Sequence, residues 1–147
     1  MATRTKFQDI RTALVTAITN QLTTDTVTAT VTAYPPLGDY AREDRVFLAG
    51  ISFSQEPYTY DKYQESLEVE LRVMCPASGG TVEELADGEQ RAETILDSIL
   101  TTLRTDIEVG ATVFNVELGE SESRVDVIDD QGPWGVIEAD LLVEAHV

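Results

Sequence analysis

The sequence predicts an α+β fold in which two helices pack on one face of a mixed, mostly antiparallel sheet, in the order α-βββ-α-βββ. Two segments repeat apolar residues at helical spacing, and the segments after them alternate apolar and polar residues. Each predicted strand therefore has one apolar and one polar face, which favours helices on a single side of the sheet. The chain has 147 residues, the length of one domain, and we expect a single domain over residues 1–147.

The first helix is predicted from about Thr5 to Leu22. Thr5 and Gln8 have the spacing of a capping box, in which two side chains satisfy the first backbone donors of a helix. The apolar residues of this stretch recur every three or four positions: Phe7, Ile10, Leu14, Ile18 and Leu22.

Three strands are predicted next, over residues 26–34, 45–55 and 67–75. The first alternates threonine with valine or alanine and ends at Pro35-Pro36, because proline cannot donate to a strand ladder. Gly50 interrupts the second, which suggests a bulge. Residues 56–64 between the second and third strands are expected to form a long hairpin loop.

The second helix is predicted from Thr81 to about residue 105. Thr81 and Glu84 form another capping-box pattern, and acidic residues fill its first half, where the helix dipole favours negative charge. Three strands are expected after it, over residues 113–118, 124–128 and 136–147, with turns at residues 119–122 and 129–133.

The charge of the chain excludes several classes of function. Acidic residues number 27 and basic residues 10, for a net charge of −17. Residues 1–34 contain three basic and two acidic side chains, so almost all of the negative charge lies in the rest of the chain. Such a surface cannot neutralise nucleic-acid phosphates or bind an anionic membrane, and we expect no membrane partner. Only Lys6 and Lys62 are lysines, and a lysine-poor acidic surface predicts a protein from a high-salt host.

Candidates for catalysis or metal binding are few. His146 is the only histidine, and Cys75 falls in the apolar register of the third strand, where burial is expected. Asp126, Asp129 and Asp130 precede Gly132 but lack the spacing of a calcium loop. We therefore predict no catalytic residue, no metal ligand and no cofactor.

Two groups of residues are candidates for contacts instead. Tyrosines are enriched at interface hot spots, and three of them in the hairpin segment are candidates for a subunit or tube interface: Tyr58, Tyr60 and Tyr63. Acidic residues on the polar faces of the third and last strands are candidates for a lumen-facing or solvent-facing surface: Glu68, Glu70, Glu138, Asp140 and Glu144. Trp134 is expected to pack over a turn.

The order of elements resembles that of the tail terminator, or tail completion, proteins of long-tailed viruses of bacteria and archaea. The likeness covers about residues 5–147 and depends most on segments 43–54 and 82–104, which contain Val46-Phe47-Leu48-Ala49-Gly50 and Glu89-Gln90-Arg91-Ala92. Neck and head-completion proteins of the same virions share similar size and appearance.

The resemblance implies a structural protein of the virion that is not an enzyme. Such proteins form a hexameric ring on the head-proximal end of the tail tube, stop its polymerisation and dock onto the head–tail connector, while DNA passes through the hole. The partners implied are a second copy of the chain, the major tail tube protein and the connector protein, with assembly in the host cytoplasm. The alternatives are another connector or neck component, a small acidic protein-binding or DNA-mimic module, and a carboxylate enzyme that uses a divalent metal.

Overall fold

A computed structural model describes residues 5–36, 42–59, 62–103, 107–109, 112–128 and 132–146; for residues 58, 59, 62, 63 and 146 it describes the backbone alone. The elements in chain order are α1 (Phe7–Thr24), β1 (Thr30–Thr32), β2 (Arg45–Thr59), β3 (Lys62–Pro76), α2 (Val82–Leu103), β4 (Ile107–Val109), β5 (Thr112–Ile128) and β6 (Gly132–His146). The predicted class and the order α-βββ-α-βββ are confirmed.

The strands form one six-stranded sheet in the order β1-β2-β3-β6-β5-β4. β1 pairs with β2 in parallel, and the other neighbouring strands pair antiparallel. The long strands β2, β3, β6 and β5 form the centre, while β1 and β4 each cover a short part of one border. The mostly antiparallel sheet is therefore as predicted.

Both helices pack on the same face of this sheet, which we call the covered face. Side chains of α1, α2 and the strands meet there in one buried cluster, because each helix has an apolar stripe and each strand an apolar side. Leu71 and Leu141 lie at its centre with no exposed surface. Gly135 lets α2 approach β6 closely, because a Cβ at this residue would lie 2.8 Å from the backbone nitrogen of Glu89.

The opposite face, which we call the open face, has a smaller apolar cluster at one end. Phe47, Met74, Trp134 and Val136 are buried there, and the Arg42 guanidinium lies 5.7 Å from the centre of the Trp134 ring. The expected packing of Trp134 is confirmed, although its position is within β6.

One of the two predicted capping boxes is wrong. At the second helix Glu84 N donates to Thr81 Oγ1 over 3.2 Å, and Thr81 N donates to Glu84 Oε1 over 3.3 Å, as predicted. At the first helix the N-cap residue is Lys6, and no side chain caps it. Thr5 instead donates from its backbone nitrogen and its hydroxyl to Glu65 on β3, over 3.1 and 2.5 Å.

Several strand boundaries differ from those predicted. The expected long loop at residues 56–64 is wrong, because β2 and β3 continue their pairing to Thr59 and Lys62. The expected turn at residues 119–122 is also wrong. These residues lie inside β5, where the register shifts between Leu118 and Ser121, and one extra residue on β5 forms a bulge. The sequence pattern did not indicate β4, and β1 is shorter than predicted.

Candidate functional site

The candidate site is the acidic part of the open face. Glu70 on β3 pairs with Asp140 on β6, and the same two strands place Glu68 and Glu144 one and two rows further along. Alternate residues of a strand share a face, so the antiparallel register brings all five predicted acidic residues onto one surface. The structure thus assembles the predicted set, while its function remains a prediction.

A shallow depression lies in this surface. Its volume is about 450 Å³. The residues that line it come from β3, β5 and β6: Glu70, Glu120, Ser121, Glu122, Glu138 and Asp140. The bulge in β5 contributes Glu120 and Ser121 to this lining. Five carboxylates therefore line a hollow that is open to solvent.

Arginines neutralise one end of the acidic surface. Glu138 forms an ion pair with Arg72 over 3.1 Å and accepts a hydrogen bond from Arg124 over 2.7 Å. Hydrogen bonding from Arg124 lowers the pKa of Glu138, and the bonds from Arg124 to Glu138 and Asp126 raise the pKa of Arg124. Glu138 is thus held ionised within a network of two arginines.

The other end keeps its negative charge. Among the described residues, no basic side chain lies within ion-pair distance of Glu68, Asp140 or Glu144. Glu68 and Glu144 are exposed. Uncompensated carboxylates of the open face therefore lie on β3 and β6, beside those of Glu120 and Glu122 on β5.

The structure describes the backbone of Tyr58 and Tyr63, two of the three tyrosines of the predicted interface. Tyr63 pairs with Pro57 through the backbone, next to Tyr58 in the extended β2–β3 hairpin. Tyr60 lies outside the described residues, as do the side chains of Tyr58 and Tyr63. Their role as contact residues stays a prediction.

Cys75 and His146 are the residue types of this chain that could carry nucleophilic or acid–base chemistry. Cys75 is fully buried, and desolvation by burial raises the pKa of its thiol, so the unreactive form is favoured. The side chain of His146 lies outside the described part of the chain. Within the described ranges, no group of three or more histidine, cysteine or acidic side chains is placed to hold a metal ion. None of the described helices has the length and apolar character needed to cross a membrane.

Sequence patterns did not reveal the polar contacts that join the elements. Arg91 of α2 contacts Asp44 over 2.7 Å and also donates to the carbonyl of Pro76, which anchors the helix to the start of β2 and the end of β3, at one end of this strand pair. Arg11 of α1 donates to the Leu48 carbonyl over 2.9 Å. The partners of these two arginines are a carboxylate and backbone carbonyls distant in sequence, so local patterns did not indicate them.

Comparison with solved structures finds a similar fold over nearly the whole chain. No protein-family model and no curated protein sequence matches the chain. Its fold is similar to that of a chain in a solved virion of a native gene transfer agent (GTA) particle, with a TM-score of 0.61 and 13% sequence identity. The likeness covers 94% of this chain and 93% of that chain. The two proteins therefore share their whole fold.

Proposed function

We propose that the chain is a virion structural protein and, more specifically, a tail terminator. Copies of it form a hexameric ring at the head-proximal end of the tail tube, end the polymerisation of the tube and join the tail to the head connector. The observation that carries the proposal is the fold that the chain shares, over nearly its full length, with a chain of a gene transfer agent virion. The resemblance to tail terminators supports the finer assignment, and the proposed role is not enzymatic.

The charge of the open face supports a channel for DNA. Uncompensated carboxylates at Glu68, Asp140 and Glu144 would repel phosphates if this face lined the lumen of the ring. A conduit has to let DNA slide past without binding it. The helices, on the covered face, would then lie on the outside of the ring.

Tube binding tests the terminator assignment. Purified tail tubes of the virus are incubated with the protein and with fresh tube subunits, then examined by negative-stain electron microscopy. We expect a ring at one end of each tube and no further growth at that end. A ring that binds the isolated head connector but leaves tube growth unchanged would assign the chain to the neck instead. Binding to neither would overturn both assignments.

A charge variant tests the lumen assignment. Replacing Glu68, Asp140 and Glu144 by lysine should cause assembled rings to retain added DNA in a gel-shift assay, because the lumen would then attract phosphates. The matched control replaces the exposed Glu83, Glu93 and Asp97 of α2 by lysine, which changes the net charge equally. Equal DNA retention by both variants would contradict a lumen at the open face.

A further inference from the structure

The two borders of the sheet are stepped. β1 pairs only with residues 45–47 of β2, and β4 pairs only with residues 112–114 of β5. Beyond these short outer strands, no described strand lies against the outer sides of residues 48–59 and 115–128. An open strand edge presents backbone donors and acceptors to another chain.

β1 lies level with the open part of β5. The pairing runs across the sheet from Thr32 to Phe47, Arg72, Glu138 and finally Glu122. The short strand at one border is therefore at the same height as the unpaired segment at the other border.

β4, at the other border of the sheet, is related in the same way to the open part of β2. Ile107 of β4 pairs with Phe114, and the next residue, Asn115, lies in the same row as Ser54 of β2, through Glu144 and Ser66. β4 is thus level with the open part of β2. Each border of the sheet has the complementary outline of the other, so a second copy placed alongside would set a short strand against part of each open segment.

The directions of the backbone groups and of the strands allow β1 of one copy to pair with β5 of another. Thr30 N donates to Asp44 O over 2.9 Å, so Thr30 and Thr32 direct their backbone groups toward β2, and Val31 directs its N–H to the outer side. β1 runs parallel to β2, and three successive antiparallel pairings relate β2 to β5. β1 of one copy would therefore meet β5 of the next as an antiparallel pair.

We propose that these stepped borders are the interface between copies: β1 of one copy pairs with β5 near Glu122 of its neighbour, and β4 of that neighbour lies along the open edge of β2. This inference rests on the proposed ring and adds its contact residues. A rotation about an axis along the strands repeats the same contact and keeps every open face turned the same way, as closure of a ring requires.

Charge disfavours the symmetric alternative. A β5–β5 contact would place Glu120 and Glu122 of one copy near the same residues of the other, while Arg124 of this strand is already paired with Asp126 and Glu138. Like charges on facing strands are destabilising. The outer strand β1, by contrast, consists of Thr30, Val31 and Thr32 and is uncharged. The acidic edge of β5 is thus better matched to β1 than to itself.

Cysteine cross-linking tests the interface. Thr32→Cys with Glu122→Cys should give a ladder of covalent oligomers after mild oxidation, because both side chains lie on the open face in one row and Thr32 would occupy a closely spaced, non-hydrogen-bonded position. The matched control is Thr32→Cys with Glu117→Cys, since Glu117 lies in the row of Ser52 and too far along the strand to bridge. The buried Cys75 is left in place.

The outcomes separate this inference from the proposed function. A ladder with Glu122→Cys and its loss with Glu117→Cys support the stepped interface. Native mass spectrometry that shows oligomers without a ladder, or equal ladders from both pairs, would overturn it and leave the terminator role standing. A chain that stays monomeric at its highest soluble concentration would also overturn it, while tube-end binding would still report on the function.

Discussion

The covered and open faces of the sheet are formed by the same strands and differ in what lies on them. On β3, Leu71 has no exposed surface, whereas its neighbour Glu70 lines a depression open to solvent. The covered face stabilises the fold through apolar burial, and the open face is left to electrostatics and contacts. Substitutions on the two faces should therefore have different effects, and matched pairs can test the distinction.

The largest effect is expected from a charge in the buried centre. Leu71→Asp should lower the free energy of unfolding by about 5 kcal/mol and leave little folded protein, because the carboxylate would be buried without a partner. The same change at Leu142, which is 40% exposed on the open face, should cost about 1 kcal/mol or less. Urea denaturation measures both. A larger loss for Leu142→Asp than for Leu71→Asp would mean that the assigned faces are exchanged, as a shift of one residue would cause.

Loss of the buried carboxylate of Glu65 should have the next largest effect. Glu65→Ala removes two hydrogen bonds from Thr5, one of 3.1 Å to the backbone nitrogen and one of 2.5 Å to the hydroxyl, so we expect a loss of about 2–3 kcal/mol. Glu68→Ala, three residues away on the open face, is the control and should change stability by less than about 0.5 kcal/mol. Similar chemical-denaturation midpoints for the two variants would contradict the role of Glu65 in anchoring the start of α1.

Replacing a glycine by alanine should have a different effect on the stability at each face of the sheet. Gly135→Ala should destabilise the protein by about 1–3 kcal/mol, because the added Cβ would lie 2.8 Å from the backbone of α2. Gly50→Ala should be nearly neutral, since the nearest atom to its Cβ is a Glu70 carboxylate oxygen at 3.8 Å. Thermal unfolding measures both variants. An unchanged melting temperature for Gly135→Ala would mean that α2 does not pack so closely on β6.

Salt should raise the stability of the protein through the carboxylates of the open face. The melting temperature is expected to rise from low salt to molar potassium chloride, because counterions screen the repulsion among its carboxylates. Replacing Glu68 and Glu144 by glutamine should reduce this rise, whereas glutamine at the exposed Glu83 and Glu93 of α2 provides a control with the same change in charge. A melting temperature independent of salt would refute the predicted adaptation to a high-salt host.

The smallest effect is expected from the ion-pair network of Glu138. Its pKa is lowered in the folded protein, so the pair with Arg124 stabilises the fold above the ordinary carboxyl pKa of 4.5, and this stabilisation is lost as the pH falls through the lowered folded value. Glu138→Gln should therefore flatten stability against pH below about pH 4.5, by less than about 1 kcal/mol. Unfolding measured from pH 3 to 7 tests this, and an unchanged pH profile would contradict it.

The N-termini of the two helices show where a local sequence pattern predicts the hydrogen bonds and where it does not. Thr81 and Glu84 form the predicted capping box, because both residues are exposed and no distant group competes for them. The same pattern at Thr5 and Gln8 fails, since Thr5 bonds to Glu65 on a strand far away in sequence. A local rule therefore held where the surroundings were solvent and failed where a tertiary partner was available.

The sequence alone determined the class of fold, the positions of the two helices among the strands, the buried sides of the long strands and the acidic residues of one face. These follow from local periodicity, which any chain segment expresses without its neighbours. Tertiary structure alone decided the order of strands in the sheet, the bulge in β5, the bond from Thr5 to Glu65 and the stepped borders formed by β1 and β4. Each of these depends on which distant segments pair, and the free energy of that pairing comes from burying the covered face as a whole rather than from any one segment.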